Sequence, residues 1–126
     1  MNINGDLRDD FEGSFDCVQS VANGTAKEKG FWDGALRDGA GNLHPEFVSS
    51  KIALMHSELS EALEAIRNGN PADDKIPSFS GAEAELADVI IRIMDLAGEM
   101  RWDVSGAIVA KMAFNDDREY RHGKAF

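Results

Sequence analysis

Two acidic pairs in this chain have the residue types and the spacing to do chemistry together. Glu58 and Glu61 form the first, Glu85 and Asp88 the second, and 23 residues lie between Glu61 and Glu85. At about 100° per helical residue, with Glu58 at zero, Leu59, Ala62, Leu63 and Ile66 fall between about 40° and 140°. Glu61 lies at about −60°, on the border of that apolar stripe. The second pair repeats the layout: with Glu85 at zero, Leu86, Val89, Ile93 and Leu96 fall between about 20° and 100° and Asp88 at about −60°. If the two helices pack antiparallel, as neighbours joined by a short connection do, the four carboxylates converge. Four ionised carboxylates beside a core repel one another and lose hydration unless a cation neutralises them. Oxygen-only ligands select a hard ion, Mg²⁺ or Mn²⁺, over zinc. The competing reading is a set of solvated acids on helix edges; the matching register of the two pairs weighs against it.

A basic element follows. On a helix starting near Val104, Lys111, Asn115 and Arg118 share one edge. A lysine, an amide and a guanidinium beside an acidic metal site suit phosphate oxygens, although a salt bridge from Lys111 to a nearby acid is an equally ordinary use. Trp32 or Phe31 can stack on a nucleobase; anchoring a loop to the core is the commoner role of such rings. His56 lies within a turn of Glu58 and Glu61 and serves a structural hydrogen bond as readily as a catalytic one. Among the acids, Glu61 is the candidate general base, because water reaches the border of the stripe.

The elements that must position these groups are helical. Apolar residues recur at helical spacing from Asp6 to about Asn23 (Leu7, Phe11, Phe15 or Ser14, Val18, Ala22), from Glu46 to about Arg67, and from an N-cap at Ser80 to about Met100. Asp103 caps a fourth helix ending near Arg121. Asn68-Gly69-Asn70-Pro71 stops the second helix. The glycine-rich stretch Lys29–Pro45 reads as a long connection with at most a short helical turn. Phe11 and Phe15 read as core, and Cys17 as a small buried side chain. Ile91 and Met94 lie off the core direction and are expected to bury against another subunit. No strand alternation of useful length is present, so the expected fold is all-α, a four-helix bundle in a single domain over residues 1–126.

Composition sets limits on function. The 126 residues carry 23 acidic and 13 basic side chains, a net charge of −10, which argues against a general nucleic-acid binder. Residues 1–108 hold a net of −11 and residues 109–126 a net of +1, an acidic body beside a basic end. The longest mostly apolar run, Leu86 to Ala97, is interrupted by Asp88, Arg92 and Asp95, so none approaches a membrane span, and one cysteine allows neither an internal disulfide nor a thiolate zinc cluster. With no signal-peptide pattern at the start, a cytoplasmic protein is expected.

Glu58-Leu59-Ser60-Glu61 and Glu85-Leu86-Ala87-Asp88 together resemble the ExxE…ExxD signature of the MazG-like all-α nucleotide pyrophosphohydrolases, a group that includes dimeric dUTPases and dCTP pyrophosphatases. Lys111 to Arg118 resembles the KxxxN element of that family, and Lys29-Gly30-Phe31-Trp32-Asp33 the aromatic segment of its smaller members. The resemblance covers roughly residues 27–122. It implies a four-helix bundle of the MazG-like type and a Mg²⁺-dependent enzyme, Mn²⁺ being an alternative, that cleaves a nucleoside triphosphate to the monophosphate and pyrophosphate. It further implies Glu58, Glu61, Glu85 and Asp88 as metal ligands, phosphate or sugar contacts from Lys111 and Asn115, and a homodimer or homotetramer. Many members read Glu-Glu-x-x-Glu where this chain has Ser57 before Glu58, which bears on the number of metal ions.

Two other readings compete. A ferritin-like carboxylate bundle needs two Glu-x-x-His elements, and only Glu119-Tyr120-Arg121-His122 fits. A non-catalytic acidic helical module that binds a partner protein suits the charge and requires no metal.

Overall fold

The computed structural model describes residues 5–118, with side chains from Arg8 onward; Arg121, His122, Lys124 and the Glu119–His122 element lie outside them. Four helices follow in order: α1 (Gly5–Glu28), α2 (Pro45–Arg67), α3 (Gly81–Met100) and α4 (Val104–Asp116). The described chain is all-α, as expected, with only two isolated β-bridges, Arg37–Leu43 and Ala72–Ser80. No helix among the described residues is long and apolar enough to cross a membrane.

Local signals account for most of the boundaries. Pro45 opens α2 behind an N-cap at His44, where a missing N–H costs nothing. Gly69, at φ +83°, carries the left-handed turn that ends α2. Ser80 and Glu83 form a reciprocal capping box at the start of α3. Asp103 caps α4 through Gly106 N–H. α1 runs five residues past the expected stop at Asn23. Asn23 and Lys27 continue it because both find carboxylates on α3, at Asp95 and Glu99.

α3 is the central element. α2 packs along one side of it and α1 along the other, while α4 packs against α1. α2 and α3 are antiparallel: Ala65 lies against Gly81, and Glu58, further back on α2, meets Arg92, further on along α3. The pairs Asn23–Gly98 and Asp16–Ser105 likewise step in opposite directions, so α1 is antiparallel to the α3–α4 segment.

This arrangement explains three departures from the sequence reading. Met94, expected at a subunit contact, is buried within the chain, because a central helix is covered on two sides; Ile91 is exposed. Cys17 is exposed and Phe11 is 37% exposed, since the first half of α1 has only the short α4 beside it. Most of the α2 stripe, including Leu59, Leu63 and Ile66, is exposed along with Leu86 and Ile90 of α3. The buried apolar side chains gather instead on α3 at Val89, Met94, Leu96 and Ala97, joined by Ala62, Val109 and Trp32.

Candidate metal centre

The antiparallel seam of α2 and α3 brings three of the four expected ligands together. Glu58, Glu61 and Glu85 each offer a carboxylate oxygen, and these oxygens lie within 4.8 Å of one another. Two consecutive turns of α2 supply the first two, and one turn of α3 supplies the third. Asp88 stands outside this cluster, one turn further along α3. Its charge still acts on Glu85.

The cluster is electrostatically strained, and the strain is unequally shared. Burial pushes the Glu85 carboxyl up, and the Glu58 hydrogen bond and the charges of Glu61, Glu58 and Asp88 push it further, to about 7. Glu61 is raised by its hydrogen bond to Glu58 and by that neighbour's charge. Glu58 goes the other way. Burial works against its charge, but hydrogen bonds from Arg92, Glu61 and Glu85 outweigh it and hold the carboxyl below its ordinary range. Glu58 is therefore the member that gives up its proton first, and protons are held more readily at Glu61 and, above all, at Glu85. A donor set made only of carboxylate oxygens fits a hard divalent ion, whose charge would replace those protons.

One cation touches the cluster. Arg92 donates from Nε to Glu58 Oε1 at 2.8 Å, and its terminal nitrogen lies 2.7 Å from the same oxygen. The sequence reading treated Arg92 only as an interruption of an apolar run. Its helical angle carried the signal: with Glu85 at zero, Arg92 falls at about −20°, on the same face two turns on.

The basic and aromatic candidates lie elsewhere. Lys111, Asn115 and Arg118 are exposed at the end of α4 and beyond, where Lys111 Nζ and the Arg118 guanidinium lie 5.6 and 4.9 Å from the Phe114 ring centre. Among the described residues, no hydrogen bond or ion pair joins Lys111 or Asn115 to the carboxylate cluster. The geometry accounts for this separation: Glu85 is about 22 Å of helix from the end of α3, and α4 then packs on α1. His56 is exposed.

Trp32 is placed as an anchor. It is 8% exposed, donates its indole N–H to Asp95 Oδ1 at 2.8 Å, and has Lys51 Nζ over its ring at 4.4 Å and Phe47 beside it. Asp95 also accepts from Asn23, and Glu99 pairs with Lys27 and Arg37, so this network ties the connection after α1 to α3. Phe31 is the exposed ring of the two, and its carbonyl accepts from Lys51.

Compared with known proteins, the chain matches no protein-family model, no curated protein and no solved structure.

Proposed function

We propose that this protein is a Mg²⁺-dependent nucleotide pyrophosphohydrolase, which cleaves a nucleoside or deoxynucleoside triphosphate to the monophosphate and pyrophosphate. The observation that carries the reading is the convergence of Glu58, Glu61 and Glu85 from two helices onto one point. The resemblance of the two acidic elements and the Lys111–Asn115 element to the MazG-like family supplies the reaction class. A bound divalent ion would neutralise phosphate oxygens and acidify a water molecule. Glu58, Glu61 and Glu85 would hold the ion, with Asp88 within electrostatic reach. Glu61, the exposed member of the three, accepts the proton from the attacking water at its carboxylate.

The working form in this proposal is a homo-oligomer, a dimer or tetramer. The exposed side chains of Leu59, Leu63 and Ile66 on α2 and of Leu86 and Ile90 on α3 support it, since large apolar side chains left in water suit burial against another copy. Another copy is also the source from which Lys111 and Asn115 would reach the carboxylates to hold the departing pyrophosphate.

The test is product identity. Phosphorus NMR of a triphosphate incubated with protein and Mg²⁺ should show monophosphate and pyrophosphate; diphosphate and inorganic phosphate would refute the reaction class. The second reading, a non-catalytic acidic module, is favoured by the same exposed apolar face, and it requires that Glu58→Gln and Asp88→Asn leave its partner binding intact.

A further inference from the structure

Arg92 has a position that the proposed reaction does not use. It projects from α3 on the face that carries Glu85, and both of its contacting nitrogens converge on one oxygen of Glu58. Its own side chain stays 40% exposed, whereas that of Glu58 is 12% exposed. Among the described residues it makes the only ion pair to the carboxylate cluster. A planar guanidinium on a flexible stem, half in water, is held there by charge and not by packing.

We propose that Arg92 is the built-in counter-cation of this site: it neutralises Glu58 while no metal is present, gives way when a divalent ion binds, and then takes a phosphate oxygen of the substrate. The inference rests on the reading of the cluster as a metal centre. A divalent ion ligated by Glu58 would share that carboxylate with the guanidinium, and the two positive charges would repel. The released guanidinium has five donors in a fork that matches phosphate geometry, and its exposed side faces the solvent from which a triphosphate arrives.

The two halves of the proposal have opposite signs, which separates them from a structural role. In Arg92→Gln, Mn²⁺ titrated by electron paramagnetic resonance should bind at least about threefold more tightly than in the unmodified protein, since a competing charge is gone. Inorganic tripolyphosphate, added as its Mg²⁺ complex and followed by calorimetry, should bind about tenfold more weakly, since charge-assisted hydrogen bonds are lost. Arg92→Lys keeps the charge and should restore most of both values. Two shifts of the same sign, or no shift, in variants with unchanged helical circular dichroism overturn the role of Arg92 and leave the metal centre standing. No Mn²⁺ binding by the unmodified protein overturns the metal centre and this inference with it.

Discussion

The indole N–H of Trp32 donates to Oδ1 of Asp95 at 2.8 Å, and this bond fastens the glycine-rich connection between α1 and α2 to the central helix. Trp32→Phe keeps a ring but removes the donor and part of the packing, and should cost about 1–2 kcal/mol. Asp95→Ala also removes one of the acceptors of Asn23, which keeps Glu99 and the Asp95 carbonyl, and should cost more. Thermal unfolding checks both. A variant with unchanged Tm and a selectively raised KM would contradict the anchoring role.

Glycine has opposite value at two helical positions. A Cβ on Gly98 would sit 2.9 Å from Asn23 Cβ, where α1 crosses α3, whereas nothing lies within 4 Å of a Cβ on Gly13. Gly13→Ala should therefore stabilise by about 0.5–1 kcal/mol through helix propensity. Gly98→Ala should destabilise by about 1–3 kcal/mol as the helices are forced apart. Denaturant melts that rank the two the other way would contradict the α1–α3 crossing.

The raised Glu85 carboxyl gives a signed pH dependence. Its folded-state value of about 7 lies above its ordinary 4.5, so between those values the folded chain binds more protons than the unfolded one. Stability contributed by this group is present below about 4.5 and is lost as pH rises through about 7. The metal-free protein should lose stability over that window, and Glu85→Gln should remove this component. A wild-type minus Glu85→Gln difference in Tm that does not change with pH would contradict the half-buried, crowded carboxylate. Protons and metal compete for the same oxygens, so Mn²⁺ affinity should rise from pH 6 to pH 8.

Association is testable apart from catalysis. Leu63 on α2 is 52% exposed and Ile90 on α3 is also 52% exposed. Light scattering should give at least twice the 13.7 kDa chain mass, and Leu63→Glu should lower it. A mass of one chain for the unmodified protein would contradict the proposed assembly.

Much of this was legible from residue order. Gly69, the Ser80–Glu83 box and Asp103 mark their helix ends by local chemistry. The register that joins Glu58 and Glu61 to Glu85 follows from helical periodicity and a short connection. What the order of residues concealed depends on which helix becomes central. Met94 is inside because α3 is covered on two sides, and the α2 stripe is outside because α4 packs on α1 and, among the described residues, only α3 packs closely on α2. Lys111 and Asn115 share an edge with each other but not, within one chain, with the acids, since α4 turns onto α1. Arg92 was hidden by its type, a charge read as a break in an apolar run and not as the partner of a buried acid.

On the proposed function, the carboxylate cluster makes this chain a metal-dependent pyrophosphohydrolase. Its most direct test is pyrophosphate release from a panel of ribo- and deoxyribonucleoside triphosphates, with Mg²⁺ and with chelator, for the unmodified protein, Glu61→Gln and Asp88→Asn. The account predicts release from one or a few of them that chelator abolishes and that each substitution lowers by at least about a hundredfold. Release that survives chelator, or that persists in both variants, would contradict it.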